Sequence, residues 1–315
     1  MTTTRRTPRK RARVASRPRR QAATAPAAPQ RVLVATDGSD ASRAALKLAR
    51  WMEQSGAWAP EVLTVLQPAP PGTAELVLVP TPEIQQLVTE GLLERITAQV
   101  RRHGSRAWKL TVEFGRAAPN IATAARERDV SMIVMGLGRH GRLARIFGAE
   151  TVARVARQAT VPVLAVDPGA SGAPKTALVA VDFGASSVNA AREALRLIER
   201  PGRLHLLHVR WAFEGSTVRD ATWERTYADG VELGFTRLIA ELGEQPGVRI
   251  TSEYRLGGVV ETVLAVAKGI GAQVIAAGSH NQTVLDRILI GSTPANLLRA
   301  APCSLLVVPP SVDQA

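Results

Sequence analysis

The chain has 315 residues, of which 45% are hydrophobic and 4% aromatic, enough for two aliphatic cores of ordinary domain size. Its single cysteine, Cys303, excludes an intramolecular disulfide framework and a Cys-rich zinc site, so a reducing, cytoplasmic setting is expected. No apolar run approaches the roughly 18 residues of a membrane span, and the amino-terminal segment lacks the apolar core of a secretion signal.

The formal net charge of +13 is concentrated at the amino terminus. Residues 1–30 carry nine Lys and Arg and no acidic residue, which leaves 31 basic against 27 acidic residues, or +4, for the rest. Because this segment has few large apolar side chains to offset the entropy of ordering, we predict a disordered basic tail. Three interpretations stay open: sequence-blind contact with nucleic acid or an acidic surface, a solvated tail without a partner, and an organellar transit peptide.

After the tail, short apolar runs alternate with stretches of helical periodicity. The run RVLVA at 31–35 predicts a strand, which is followed by an acidic turn and a helix with an Ala-rich face. The further predicted elements are strand 62–66, a proline-rich loop at 68–82, helix 84–100, strand 108–112, a helix after Pro119, strand 132–135, helix 151–157 and strand 161–166.

The pattern then begins again. ALVAVD at 177–182 repeats VLVATD at 32–37 with an offset of 145 residues. We predict two copies of one unit, at 31–167 and 176–310, joined by a Gly- and Pro-rich linker at 168–175. Alternating strands and helices predict an α/β fold with mostly parallel sheets, helices on both faces, and ligands beyond the carboxyl ends of the strands.

The stretch QVIAAGSHNQTVLDRILIGST at 273–293 has the layout of an anion-binding loop. An apolar strand ends at Gly278, and Gly291 precedes Ser292 and Thr293, where the pattern predicts a helix start. Glycines let the backbone approach a phosphate closely, and the free amides and positive dipole end of a helix N-terminus attract anions. The stretch therefore predicts a phosphate-binding site.

These parts together resemble the universal stress protein family, in tandem, over residues 31–310. The resemblance lies in VLVATDGSDASRAALKLA at the start of a domain, a loop of pattern G-x2-G-x9-G-[ST], and a closing strand such as APCSLLVV. It implies two Rossmann-like, adenine nucleotide alpha hydrolase-like, five-stranded parallel sheets flanked by helices and packed as an intramolecular pseudo-dimer. It also implies a stress-response regulatory module that binds ATP, with or without Mg²⁺, and hydrolyses it very slowly or not at all.

In the second copy, the loop pattern is met by Gly278, Ser279, His280, Asn281, Gly291 and Ser292. Asn281 replaces the second glycine of the pattern, and asparagine tolerates left-handed backbone better than other non-glycine residues. The resemblance assigns the phosphates to this loop, together with Thr293, and the adenosine to Asp182, and Val209 is a further candidate cofactor-binding residue.

The first copy matches the pattern less well. Its candidate residues are Asp37, Gly136, Gly138, Gly141 and Gly148. Counted from Gly136, Gly148 arrives one residue early, and Ala149 stands where the pattern has Ser or Thr, so a hydroxyl is lost. The same glycines spell G-x-G-x-x-G, but a dinucleotide fingerprint belongs after the first strand of a domain, not the fourth. We therefore expect the nucleotide mainly in the second copy.

Alternative functions follow from the same residues. If both loops are degenerate, the chain is a nucleotide-free scaffold for regulatory protein partners. An adenylyl-transferring enzyme on a similar fold would need an HxGH-like loop after the first strand, which DGS at 37–39 does not supply. The sequence also leaves open the assembly of pseudo-dimers into homo-oligomers.

Individual polar residues have structural interpretations as well. Asp37 and Asp182 suit helix caps as much as ligand contacts. His205 and His208 lie three residues apart in the strand LHLLHV and therefore face opposite sides, which excludes a shared metal site and predicts structural roles.

Overall fold

The computed structural model describes residues 28–66, 82–138, 148–211, 221–279 and 292–310. The predicted tail up to residue 27, nearly all of the proline-rich loop and the middle of each predicted phosphate loop lie outside these ranges. Within them, the predicted alternation of strands and helices is confirmed in both halves of the chain.

The first domain alternates strands and helices throughout. Its elements are β1 (Gln30–Ala35), α1 (Asp40–Gln54), β2 (Trp58–Leu66), α2 (Pro82–His103), β3 (Leu110–Phe114), α3 (Ala117–Glu127), β4 (Met132–Gly136), α4 (Ala149–Gln158) and β5 (Val163–Val166). Several predicted boundaries differ from the observed ones, and the structure explains two of these differences. The third strand begins after Trp108, whose buried indole N–H instead donates to Glu53 at 2.7 Å. Helix α3 includes Pro119 in its first turn, where the missing N–H costs no hydrogen bond.

The second domain repeats this order. Its elements are β6 (Thr176–Ala180), α5 (Ala185–Leu197), β7 (Gly202–Arg210), α6 (Ala221–Leu242), β8 (Val248–Leu256), α7 (Val259–Gly269), β9 (Val274–Gly278), α8 (Ser292–Ala300) and β10 (Ser304–Val308). The predicted start of a helix at Ser292 is confirmed.

All ten strands form one sheet in the order β3-β2-β1-β4-β5-β10-β9-β6-β7-β8. Strands within each domain are parallel, whereas β5 and β10 pair antiparallel, with Leu306 opposite Leu164. The α/β fold class is therefore confirmed: two five-stranded parallel sheets are joined through their last strands into one mixed sheet.

Both faces of the sheet are covered by helices. One face packs against α1, α2, α5 and α6, and the other against α3, α4, α7 and α8. Successive residues of β1 alternate between these cores, with Val32 and Val34 on one face and Leu33 and Ala35 on the other. None of the helices in the described part of the chain is long and apolar enough to cross a membrane.

Two strand-end glycines let a helix lie directly against the sheet. A Cβ atom at Gly136, the last residue of β4, would lie 2.4 Å from the backbone carbonyl of Ala41 in α1. At Gly278, the last residue of β9, it would lie 2.7 Å from the backbone of Ser186 in α5. Both glycines are thus required for helix packing, independently of any ligand.

We predict that Gly136→Ala destabilises the protein by about 1–3 kcal/mol, because the added methyl group must displace the backbone of α1. Thermal unfolding followed by circular dichroism measures this change. Gly172→Ala is the matched control, since a Cβ atom at this linker glycine meets nothing within 4 Å. Equal melting temperatures for the two variants would contradict the packing role.

The pairing of β5 with β10 predicts that both domains unfold together. Leu164 and Leu306 are fully buried on either side of this pairing. We expect Leu306→Ala to lower the free energy of unfolding by about 2–5 kcal/mol while the transition stays single. Denaturant titration followed in parallel by tryptophan fluorescence and circular dichroism tests this, and two separated transitions in the unmodified protein would refute it.

Candidate functional site

Four of the predicted site residues of the second domain lie at the carboxyl edge of its sheet. Strand β6 lies between β7 and β9, so the chain leaves it on one side and returns on the other. This is the change in strand order at which open α/β sheets bind ligands. Asp182 follows β6, Val209 lies near the end of β7, and Gly278 and Ser279 end β9 or follow it.

Asp37 and Asp182 stabilise the turns that lead into α1 and α5. Asp37 Oδ1 accepts a hydrogen bond from the Ser39 N–H, and Asp182 Oδ1 accepts one from the Gly184 N–H, each at 2.9 Å. The N-cap residues themselves are Ser39 and Gly184. Each aspartate thus forms an Asx turn two residues before its cap, and a contact between either carboxylate and a ligand stays a prediction.

A cavity of about 440 Å³ opens beside Asp182. It is bordered by the β6–α5 turn, the end of β7 and the first half of α6. Its lining residues are Asp182, Phe183, His208, Trp223, Thr226, Tyr227, Gly230 and Val231. The Trp223 and Tyr227 rings stack with centroids 5.4 Å apart, so one wall of the cavity is aromatic.

Phe183 adopts a backbone conformation that disfavours large side chains. Its φ is 66°, and the corresponding residue of the first domain is Gly38, with a φ of 71°. The Phe183 ring packs edge-on against Phe235 at 5.1 Å and covers Gly234, where a Cβ atom would come within 2.9 Å of the ring. The left-handed backbone costs roughly 1–2 kcal/mol, which burial of the ring offsets.

The hydrogen bonds of His208 determine its tautomer. Nδ1 lies 2.8 Å from the carbonyl oxygen of Val181, which can only accept, so Nδ1 carries the proton. In the neutral ring, Nε2 then accepts the hydroxyl proton of Tyr227, at 3.0 Å. His205 contacts Thr251 and Glu253 instead. The two histidines therefore have different hydrogen-bond partners.

Arg210 continues the side of β7 that carries His208. Its guanidinium lies 4.9 Å from the Trp223 ring centre and 4.7 Å from that of Tyr227, and Nη2 donates to both carboxylate oxygens of Glu224 at 2.9 and 2.7 Å. Its Nε and Nη1 atoms are buried without a hydrogen-bond partner in the described part of the chain.

Sequence reasoning missed this aromatic and charged group. Two signals were present. His208 and Arg210 are two residues apart on one strand, and Trp223 and Tyr227 are four apart on one helix, so each pair shares a face. Neither spacing shows that the two faces contact each other, because that contact depends on the tertiary fold.

The corresponding region of the first domain is covered differently. Register with β1 makes Thr64 and Leu66 the counterparts of His208 and Arg210. Helix α2 covers the turn after β1, because Ile96 packs on Gly38 and the Gln99 side-chain amide donates to the Ser39 carbonyl at 2.9 Å.

The predicted phosphate loops are described in part. In the first domain, Gly138 and Gly148 form a parallel bridge, and Gly148 is the N-cap of α4, whereas Gly141 lies outside the described residues. In the second domain, the Ser279 N–H donates to the Val308 carbonyl at 2.8 Å. His280, Asn281 and Gly291 lie outside the described residues, as do the side chains of Ser292 and Thr293.

Comparison with known proteins connects this architecture to a family. The sequence profile of the universal stress protein family matches residues 29–167 and 174–309. The structure is similar to that of a universal stress protein from Archaeoglobus fulgidus DSM 4304, with a TM-score of 0.61 and 20% identity over 90% of this chain and 98% of that chain. It is also similar to a functionally unknown protein from Pseudomonas aeruginosa PAO1, with a TM-score of 0.56 and 17% identity over 90% of this chain and 93% of that chain.

No curated protein matches the sequence. At these identities the structural likeness shows the fold alone, whereas the family profile covers nearly all of both domains. The chain therefore belongs to the universal stress protein family and carries two of its domains in tandem.

Proposed function

We propose that the chain is a stress-response regulatory module that binds ATP or a related adenine nucleotide mainly in its second domain, with very slow hydrolysis or none. Universal stress proteins often bind adenine nucleotides. One observation carries the proposal for this chain. Asp182, the start of α5 and the end of β9 converge at the change in strand order, beside an open cavity with an aromatic wall.

The residues divide into two parts of a nucleotide site. In this proposal the base enters the cavity, where Trp223 and Tyr227 offer a stacking surface, and the adenosine lies near Asp182 and Val209. The phosphates, with Mg²⁺ where it is bound, extend toward the loop between β9 and α8. Residues assigned to them are Gly278, Ser279, His280, Asn281, Gly291, Ser292 and Thr293, with the N-terminus of α8 contributing free amides.

The first domain supports a weaker site. Its candidates are Asp37, Gly136, Gly138, Gly141 and Gly148. Ile96 and Gln99 contact the turn that follows β1, so α2 occupies the space beside Asp37. We therefore propose one working site per chain.

The location, the domain bounds and the partners of the basic tail are also part of the proposal. We place the protein in the cytoplasm, with domains at 31–167 and 176–310 joined by 168–175. The basic tail at 1–30 would contact nucleic acid or acidic surfaces without sequence preference, and regulatory proteins would respond to the nucleotide.

A protein-interaction scaffold is the second candidate. Exposed large apolar side chains favour it. In the second domain Trp211, which follows β7, is 62% exposed, and Leu256, the strand neighbour of Arg210, is 53% exposed, whereas Phe114 of the first domain is 72% exposed. Phe114 and Leu256 end the two edge strands of the sheet, β3 and β8. Absence of bound nucleotide, and of heat with any adenine nucleotide, would decide for the scaffold.

If only the second domain binds nucleotide, we predict that about one ATP binds per chain. Isothermal calorimetry of the nucleotide-free protein with ATP and Mg²⁺ measures it, and Gly291→Asp should abolish the binding heat because its carboxylate repels the phosphates. Gly148→Asp, the counterpart in the first domain, should leave the heat unchanged. A stoichiometry near two, or unchanged affinity in Gly291→Asp, would overturn the assignment.

If the base binds in the cavity, filling the cavity should weaken ATP binding. Gly230 and Gly91 are each the tenth residue of a 22-residue helix, and a Cβ atom at either meets nothing within 4 Å. Because Gly230 lines the cavity, Gly230→Leu should fill it and weaken ATP binding by about tenfold or more, or about 1.4 kcal/mol per factor of ten.

Gly91→Leu is the matched control and should bind ATP as the unmodified protein does. Equal losses in both variants would point to a general effect on helix packing. A loss in Gly91→Leu alone would move the working site to the first domain.

A further inference from the structure

A line of aromatic rings leads from the surface of the second domain to a buried base. Trp223 is 42% exposed and stacks on Tyr227, whose ring centre lies 5.4 Å away. The Tyr227 hydroxyl is hydrogen-bonded to Nε2 of the buried His208, at 3.0 Å. The indole of Trp223, the phenol of Tyr227 and the imidazole of His208 therefore form a continuous path from solvent to the buried base.

The imidazole is prepared to take a proton from the phenol. The Val181 carbonyl fixes the proton of His208 on Nδ1, so Nε2 has its lone pair directed at the Tyr227 hydroxyl. A phenol that loses an electron becomes a strong acid. Because the acceptor already lies within hydrogen-bond distance, loss of the electron and transfer of the proton can be coupled.

Arg210 favours the tyrosine as the final site of oxidation. Its guanidinium lies against both rings, 4.9 Å from Trp223 and 4.7 Å from Tyr227. An indole radical cation is repelled by this charge, part of which Glu224 neutralises. In the phenoxyl state the positive charge has moved with the proton to the His208 imidazolium, so neither of the two rings that lie against the Arg210 guanidinium carries it.

We propose that Trp223, Tyr227 and His208 form a one-electron oxidation relay that intercepts small inorganic radicals at the protein surface. The radical takes one electron from Trp223 and becomes an anion. Tyr227 returns an electron to the indole while its hydroxyl proton moves to His208 Nε2, leaving a phenoxyl radical and an imidazolium. A soluble thiolate or ascorbate anion then donates one electron to the phenoxyl oxygen and becomes a thiyl or ascorbyl radical, while the proton returns from Nε2.

The relay does not require a bound nucleotide, although it uses the Trp223 and Tyr227 rings that the proposed nucleotide site offers to the base. Both ring nitrogens of His208 are hydrogen-bonded, one to Val181 and the other to Tyr227, and the Tyr254 ring stacks on the imidazole at 5.9 Å. Tyr227 and Tyr254 are the two tyrosines of the chain. A phenoxyl signal can therefore be assigned with two single substitutions.

Pulse radiolysis of the full chain with azide radicals tests the relay. We expect an indolyl absorption that converts into a phenoxyl absorption, and a conversion slower in D₂O than in H₂O. Tyr227→Phe should abolish the phenoxyl signal, whereas Tyr254→Phe, the matched control, should keep it. Trp223→Phe should lower its yield.

His208→Gln keeps a polar group of similar size beside Tyr227 but removes the base, and should slow phenoxyl formation by about tenfold or more. Circular dichroism checks that each variant is folded. A phenoxyl signal that survives Tyr227→Phe, or an unchanged rate in His208→Gln, would overturn the proposal. If His208→Gln does not fold, equal rates in D₂O and H₂O for the unmodified protein would overturn it as well.

Discussion

The antiparallel pairing of β5 with β10 is the contact on which the rest of the structure depends. Each strand would otherwise be an open edge of a five-stranded sheet, with unpaired backbone groups and buried side chains such as Leu164 and Leu306 exposed. Because strands are parallel within each domain and antiparallel across this pair, the carboxyl edges of the two domains point in opposite directions. The candidate sites therefore lie at opposite edges of one sheet, and each must be complete within its own domain.

This independence lets the two copies diverge. In the first domain a glycine, Gly38, follows the aspartate and a large residue of α2, Ile96, packs onto it. In the second domain the turn carries Phe183, whose ring covers Gly234 of α6 and packs edge-on against Phe235. The ring of Phe183 therefore lies between β7 and α6 and forms one wall of the cavity.

The sequence predicted what depends on local pattern. Apolar periodicity and turn residues gave the order of strands and helices, and the repeat gave the tandem arrangement. The meeting of Asp182 and Gly278 followed from their places at the ends of parallel strands. By contrast, the hydrogen bond between His208 and Tyr227 depends on how α6 packs across β7, and the spacing of residues in the sequence does not predict that packing. The start of β3 was misplaced because Trp108 is as apolar as a strand residue, although its partner is the Glu53 carboxylate.

The energetics of Phe183 show why the second domain can keep its cavity. A left-handed bulky residue costs roughly 1–2 kcal/mol, and the partly buried ring of Phe183 contributes a share of the about 1.5–3 kcal/mol that full burial of a phenylalanine gives. The contact with Phe235 adds about 0.5–1.5 kcal/mol, so the balance favours the strained turn. Since Phe183 is held by packing rather than by a ligand, the wall is in place before anything binds. A ring entering the cavity then loses little energy to reorganisation, because Phe183, Tyr227 and His208 already hold one another.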